Sequence, residues 1–450
     1  MSVEQSSEKQ EDVPLSAGVM TRSPSASVSV VPCPPFGKPP GWNDWRWQMR
    51  NRIRNVKALL SRFPELRNAA SIEAAADKFP LAVTPYYASL IRATDASDPI
   101  FRMCVPDAAE LLDPPFLRED PLEEDLDMPV PGLVHRYKDR CLLIATTTCA
   151  AYCRHCTRKR VAGMRESYIS ALRLRQVVRY LRSHPEVRDV IVSGGDPLTM
   201  NTGALERVLA ALRGVRTVEI IRIGTRVPVV LPQRVTSELV SMLKRYHPLW
   251  LNTHFNHPGE ITPESAAACA MLADAGIPLG NQSVLLRGVN DEPLTMMDLC
   301  RELVRMRVRP YYLFQCDLVR GVEHFRTPIS RGIEIMEYLR GRLTGFAIPS
   351  FIVDAPHGGG KIPVLPNYVV SSSPTHTVLR NYEGTLIAYP EPRSYAADEE
   401  GERDESSVRG VWDLACGRES VLQPKDSFHE TRRLNDDGGG ERSAPSRSRR

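Results

Sequence analysis

The chain has 450 residues, 42% of them hydrophobic and 25% charged, with a formal net charge of +4. That composition is ordinary for a soluble globular fold, and so small a charge does not by itself recruit nucleic acid. No apolar run approaches the roughly 18–20 residues that span a bilayer, and the length leaves room for one large α/β domain with appendages or for two domains.

Residues 1–38 hold repeated Ser and Pro without periodic apolar residues, and no basic start precedes an apolar block as in a secretory signal. This segment is expected to be disordered. So is 396–450, where acids cluster from Asp398 to Asp404, glycines follow at 438–440, and Ser and Arg close the chain. The tail's arginines could meet an acidic partner, though a solvated tail is the simpler expectation. Three of the ten cysteines crowd between Cys149 and Cys156 and the others are scattered. No disulfide framework is expected, and a reducing cytoplasm suits the chain.

Between 39 and 133 the rhythm is helical. Trp45, Met49, Ile53, Val56, Leu60 and Phe63 recur at three- and four-residue steps and predict one apolar face. Arg46, Arg50, Arg54 and Arg62 lie largely off that face, as on a solvent or subunit surface; RNA binding is the alternative. Acids and prolines over 112–131 predict a linker.

From 134 to 366 strands alternate with helices. Strands are predicted at 141–147, 189–193, 217–223, 249–254, 279–286, 309–316 and 348–353. Helices fall between them at 170–182, 202–212, 237–246, 263–275, 294–306 and 330–343. Such alternation implies parallel βαβ units. An unbroken series of this kind, with no glycine fingerprint after the first strand, predicts an α/β fold with a complete or partial (β/α) TIM-like barrel rather than an open doubly wound sheet. Residues 367–395 are left as a C-terminal extension.

In such barrels catalysis sits at the C-terminal ends of the strands, and the unusual residues cluster there. Cys149, Cys153 and Cys156 follow the first predicted strand, and Ser193-Gly194-Gly195-Asp196 closes the second. Thr225 and Arg226 follow the third, His254 ends the fourth, and Asn281 and Gln282 lie in the fifth. Asp317 follows the sixth, and Asp354 and Lys361 follow the last. Three thiols spaced by three and two residues can each take one iron of a 4Fe–4S cluster and leave the fourth iron open to a small molecule. Zinc competes, but a structural zinc wants a fourth protein ligand, and His155, directly beside Cys156, would point its ring elsewhere. The stretch from Asp354 through three glycines to Lys361 is either a turn or a site. A lysine there could form a Schiff base with an aldehyde cofactor. It is no P-loop, because neither Ser nor Thr follows Lys361 and no helix pattern begins there.

The cysteine segment Cys149-Ala-Ala-Tyr-Cys153-Arg-His-Cys156 closely resembles the motif of the radical S-adenosylmethionine superfamily. From Trp42 to about Pro390 the chain resembles the lysine 2,3-aminomutase family, notably in 42–47, 251–258, 280–290 and 309–312. The resemblance implies a 4Fe–4S cluster on Cys149, Cys153 and Cys156. It implies S-adenosylmethionine against Ser193, Gly194, Gly195 and Asp196, with His254 and Gln282 as further cofactor contacts. It implies pyridoxal phosphate on Lys361, the catalytic lysine, with Arg136 and Arg140 on the phosphate side, where guanidinium forks suit. Arg158 would receive the substrate carboxylate, and Asp317 and Asp354 its side-chain ammonium. The implied reaction is a radical 1,2-amino shift through a pyridoxal phosphate aldimine, interconverting L-lysine and L-β-lysine. An acid pair fits a cationic side chain and speaks against glutamate.

The resemblance further implies a free amino acid substrate, a homo-oligomer, and an electron donor such as flavodoxin or ferredoxin, with neither nucleic acid nor membrane as partner. One departure stands out. Some members of the family bind zinc through a C-terminal cysteine cluster and a cysteine of a neighbouring subunit. Here only Cys416 follows Tyr389, and Glu292 follows the 288–291 stretch, so no zinc site is expected and the assembly it would support is in question. The alternatives are the same shift on arginine or another amino acid, or a non-catalytic iron–sulfur or zinc protein that binds nucleic acid. The last predicts salt-dependent nucleic-acid binding and no pyridoxal phosphate.

Overall fold

A computed structural model describes residues 38–67, 69–372 and 376–392 of the chain. The expectations of disorder for 1–37 and 396–450 lie outside the described residues.

The helical N-terminal region is broken into short pieces: α1 (Trp45–Arg50), α2 (Val56–Arg62), α3 (Ala69–Lys78), α4 (Pro85–Ala88) and α5 (Pro99–Cys104). The single apolar face expected over Trp45–Phe63 is therefore corrected. Asn55 turns extended and its side chain caps α2 by accepting from the Ala58 amide, while Ile53 leaves the helical path to bridge Val83. Burial then falls on Ile53, Val56, Leu59 and Phe63, with Leu60 only half-buried.

Two strands open the sheet, β1 (Leu133–Tyr137) and β2 (Arg140–Thr146), and six helices and one helical turn separate the strands from there to β8. In chain order these are α6 (Ala171–Ser183), β3 (Asp189–Gly194), α7 (Thr202–Arg213), β4 (Ile220–Gly224), α8 (Val227–Val230), α9 (Ser237–Lys244), β5 (Leu249–Thr253), α10 (Pro263–Asp274) and β6 (Leu279–Leu285). Then come α11 (Pro293–Arg305), β7 (Arg309–Gln315), α12 (Ile329–Leu339), β8 (Ser350–Ala355) and β9 (Gly360–Pro363). The spatial order is β1 to β9 without a crossover. Strands β2 to β8 pair in parallel, and antiparallel β1 and β9 flank them. This is the expected partial barrel of the α/β class. All seven predicted strands and six helices are present to within a few residues. Strands β1 and β9 are additions: Lys361, expected on a loop, stands on a strand.

Alternation along each strand divides the barrel wall. Cys141, Leu143, Val190, Val192, Ile221, Ile223, Leu249 and Leu251 are buried toward Val177, Leu181, Leu205, Leu209, Leu239 and Leu272 of the helices, and this layer is the core. The intervening residues, including Leu142, Asp189, Ile191, Arg222 and Gln282, face inward onto a cavity of about 1000 Å³. Barrel interiors are usually filled by packed side chains. Here a hollow remains between the inward faces of the strands.

The extension after β9 forms a three-stranded antiparallel sheet, β10 (Val369–Ser372), β11 (His376–Arg380) and β12 (Leu386–Pro390). Arg380 ties it to the barrel helices through an ion pair with Glu337 at 2.6 Å. Among the described residues no helix is long and apolar enough to cross a membrane.

Candidate active site

The loop after β2 carries Cys149, Cys153 and Cys156 and is bolted to the N-terminal helices. Tyr152 donates its amide to Ala82 at 2.9 Å and Arg154 its amide to Met103 at 2.9 Å. The Arg154 guanidinium forks onto Glu110 at 2.8 and 2.7 Å and also donates to the Phe79 and Pro80 carbonyls. Both side chains of that pair are buried, at 0% and 1% exposure, and Lys159 adds a second cation to Glu110 at 3.1 Å, so the carboxylate is held charged by two partners. Arg52 donates to the Cys149 carbonyl at 2.6 Å. Cys149 and Cys156 pack against Phe79, Ala82, Tyr152 and Ala162.

Burial pushes the Cys156 thiol up to about 11 and raises the Cys149 thiol well above its ordinary value. Such thiols ionise when a metal takes the place of the proton. Among the described residues no three His, Cys, Asp or Glu side chains converge on a single-ion site. His155 is buried, its Nε2 3.4 Å from Asn256 and its ring edge-on to Phe325.

Gly194 and Gly195 owe their place to the chain itself. A Cβ at Gly194 would meet the Thr146 carbonyl at 2.4 Å, and one at Gly195 the Thr148 carbonyl at 2.5 Å. With those atoms absent, the amides of Gly195 and Asp196 reach the carbonyls of Thr146 and Thr148 and brace the entry to the cysteine loop. Ser193 stands half-buried on the lumen side of β3. Asp196 is buried and engaged: it accepts from the Thr225 hydroxyl at 2.6 Å and the amides of Arg226 at 2.7 Å and Leu198 at 3.1 Å. The residue expected to face a cofactor therefore clamps the ends of β3 and β4 together.

Arg226, held by that clamp, reaches Cys153 Sγ at 2.7 Å while its other amine meets Glu260 at 2.6 Å and the Tyr87 hydroxyl at 2.9 Å. Just beyond β5, His254 Nδ1 donates to the Gln282 carbonyl at 3.0 Å. Burial and the nearby Arg226 depress this imidazole to about 4, so it is neutral and keeps Nε2 as an acceptor.

At the other wall, Asp354 of β8 and Lys361 of β9 stand opposite each other in register, and the lysine Nζ donates to the aspartate Oδ2. Asp354 Oδ1 is buried without a hydrogen-bond partner. The Lys361 ammonium also lies 5.1 Å from the Phe314 ring centre. Asp317, beyond β7, accepts from the Thr157 hydroxyl at 2.6 Å. Burial raises its carboxyl to about 6, with Asp354 adding to the rise. Arg140 lies 3.9 Å over the Tyr137 ring, whose hydroxyl accepts from the Lys361 amide at 3.0 Å. Arg136, Arg140, Arg158, Gln282, Asp354 and Lys361 share the lumen cavity. The cysteines, Ser193, Asp196 and His254 lie outside its lining.

Several residues of this site carry no sequence signal. Arg154 reads as an ordinary arginine until its burial is known. Glu124 sits in a run of acids that predicts a solvated linker, yet it is buried and grips Arg158. Tyr137 belongs to a strand that the pattern did not show.

A partial barrel, a three-thiol loop at the C-terminal end of its first parallel strand and a hollow lumen define a radical S-adenosylmethionine enzyme, and the profile of the radical SAM superfamily matches residues 143–300. A second profile, described as lysine-2,3-aminomutase, matches residues 336–441, so the stretch beyond 396, expected only as a tail, carries family sequence. L-Lysine 2,3-aminomutase of Clostridium subterminale is 55% identical over 79% of this chain and 85% of its own length. That of Acetoanaerobium sticklandii is 51% identical over 85% of this chain and 94% of its own. Glutamate 2,3-aminomutase of Clostridioides difficile is 45% identical over 77% and 82%. The chain belongs to the lysine 2,3-aminomutase family, and it is an isomerase.

Proposed function

We propose that the protein interconverts L-lysine and L-β-lysine by a radical 1,2-shift of the amino group. The observation that carries the reading is the meeting of Lys361 with Asp354 in a lumen that Arg158 also lines, with Asp317 outside its lining but near enough to feel both charges. A free amino acid whose side chain ends in an ammonium matches that charge pattern: an arginine for its carboxylate and two acids for the distal cation. Glutamate would bring a second anion toward the acids. Arginine, whose guanidinium the same acids could hold, is the second substrate to assay.

In this reading Cys149, Cys153 and Cys156 hold a 4Fe–4S cluster, and S-adenosylmethionine lies against Ser193–Asp196, His254 and Gln282. Lys361 carries pyridoxal phosphate, with Arg136 and Arg140 toward its phosphate. The donor set fits: an amine, a buried unpartnered carboxylate oxygen and two guanidiniums line a lumen of about 1000 Å³. Bound there, the cluster and S-adenosylmethionine would supply a carbon radical, and pyridoxal phosphate a carbonyl to carry the migrating nitrogen. The chain's own part is to orient lysine by both ends, to exclude water, and to hold the released Lys361 ammonium on Asp354. Residues 39–133 form the helical region and linker, 134–366 the catalytic barrel and 367–395 the extension. A low-potential donor such as flavodoxin or ferredoxin would reduce the cluster, and the enzyme would work as a homo-oligomer in the cytoplasm.

The test is anaerobic. Protein reconstituted with iron, sulfide and pyridoxal phosphate is given lysine, S-adenosylmethionine and a reductant, and β-lysine is assayed. Formation that disappears in Cys153→Ala and in Lys361→Ala supports the reading. Both cofactors bound with turnover of arginine alone would move the substrate, and failure to bind either cofactor would overturn it.

A further inference from the structure

Residues 118–127, read from sequence as part of a linker, run as a strap along the site. Arg118 pairs as a bridge with Val319 beyond β7, and the Asp127 carbonyl accepts from the His135 amide of β1 at 2.8 Å. Glu123, at a φ of 54°, turns its carboxylate to His357 on the β8–β9 turn at 3.2 Å. The strap therefore touches three elements that frame the lumen, and its acids reach a fourth, the end of the cysteine loop.

The way it grips two arginines is the informative part. Glu124 takes Arg158 by one edge: Nε lies 3.1 and 3.0 Å from the two carboxylate oxygens and Nη2 2.6 Å from one. Asp127 takes Arg136 by the same edge, Nε to Oδ2 at 2.9 Å, and the Leu122 carbonyl accepts from its Nη2. In both arginines Nη1 has no bond to the strap, and both line the lumen. A guanidinium offers five donors in a rigid plane, so fixing one edge fixes where the other points. Burial alone would raise Glu124, yet Arg158, then Arg160 and Arg136, hold its carboxyl down at about 2, so the grip stays charged throughout the working pH range.

We propose that Glu124 and Asp127 are positioning residues that aim the free edges of Arg158 and Arg136 into the lumen, Arg158 toward an amino acid carboxylate and Arg136 toward a phosphate. The inference rests on the assignment of lysine and pyridoxal phosphate to this cavity. One ten-residue strap thereby sets the spacing between the two anion sites. A carboxylate that merely filled the site would be an obstacle to ligand. One that holds the far edge of the arginine is part of the receptor.

Binding, measured without turnover, tests this. Lysine and 1,5-diaminopentane, which is lysine without its carboxylate, are titrated calorimetrically into protein reconstituted with cluster and pyridoxal phosphate. Glu124→Gln should weaken lysine about tenfold or more, as expected for a lost charge-assisted contact, and leave 1,5-diaminopentane within about twofold. Asp127→Asn should weaken pyridoxal phosphate, followed by fluorescence, about tenfold with little change in lysine affinity at saturating cofactor. Glu124→Asp, which keeps the charge, should fall between wild type and Glu124→Gln and serves if the amide variant does not fold. Equal weakening of both amines would mean a structural role alone, and tighter lysine binding in Glu124→Gln would mean that Glu124 competes with the ligand; either overturns the proposal. Wild-type protein that binds neither lysine nor pyridoxal phosphate would instead sink the functional reading beneath it.

Discussion

The cysteine loop after β2 and the lysine hairpin β8–β9 stand at the same end of the barrel wall and are built differently. Arg52, Tyr152 and Arg154 fasten the cysteine loop to backbone of the N-terminal helices and to their own carboxylates, almost without solvent. The hairpin belongs to the last strand pair of the sheet. Its lysine is 34% exposed, pairs with Asp354, and meets β1 through one hydroxyl. A cluster needs three sulfurs held in one arrangement. A lysine that exchanges its bond with an incoming amine needs room to swing, and the weaker fastening supplies it.

Stability and activity should separate along this line. The largest expected effect is on turnover: Cys153→Ala and Lys361→Ala should each lower β-lysine formation by at least about 10³-fold. Iron analysis should show the cluster lost in the first and retained in the second. Next comes stability. Arg154→Ala leaves the buried Glu110 with Lys159 as its remaining cation, frees the Phe79 and Pro80 carbonyls and should cost about 3–5 kcal/mol in denaturant unfolding. Lys361→Ala removes a part-exposed ammonium but leaves the Asp354 carboxylate, 7% exposed, without that partner, and should cost less, about 1–3 kcal/mol. Comparable losses in the two variants would erase the contrast.

The pH dependence of lysine binding sharpens the lysine side. The Asp317 carboxyl titrates at about 6, above its usual value, so below that pH it is neutral and the substrate ammonium loses a partner. Affinity should fall as pH drops through 6, and Asp317→Asn should flatten that fall. Folding responds with the opposite sign: a raised carboxyl favours the folded state while protonated, and this contribution is lost as pH climbs through 6. The smallest effect expected is that of Tyr137→Phe, which removes one hydrogen bond to the Lys361 amide. It should cost about 0.5–1.5 kcal/mol and loosen pyridoxal phosphate a few-fold in a fluorescence titration.

Most of the barrel was legible because its strands and helices alternate with strong periods. The thiols stood out because residue type and spacing carry their chemistry, whereas Lys361 and the two aspartates stood out through the family resemblance. What escaped has a common physical cause. Strand β1 is five residues long, its ladder slips between Val134 and Tyr137, and it includes His135 and Arg136, so no clean period-2 signal survives. Ile53 keeps helical spacing while bridging Val83, a long-range pairing that no local window contains. Asp196 also joins two strand ends, because its partners Thr225 and Arg226 lie some thirty positions away, beyond any local window. The acids of the strap look solvated in sequence because their arginines lie elsewhere in the chain.

The Tyr137 hydroxyl has one more consequence. A closed barrel has a girth fixed by strand number and stagger. This one is a strip of nine strands, and between its two edge strands the bond is one side chain, the Tyr137 hydroxyl on the Lys361 amide, rather than a ladder of amides. Widening or narrowing the lumen beside Lys361 then takes one residue and no change to any strand. Enzymes for longer or bulkier amino acids could be reached from this scaffold by altering that residue first.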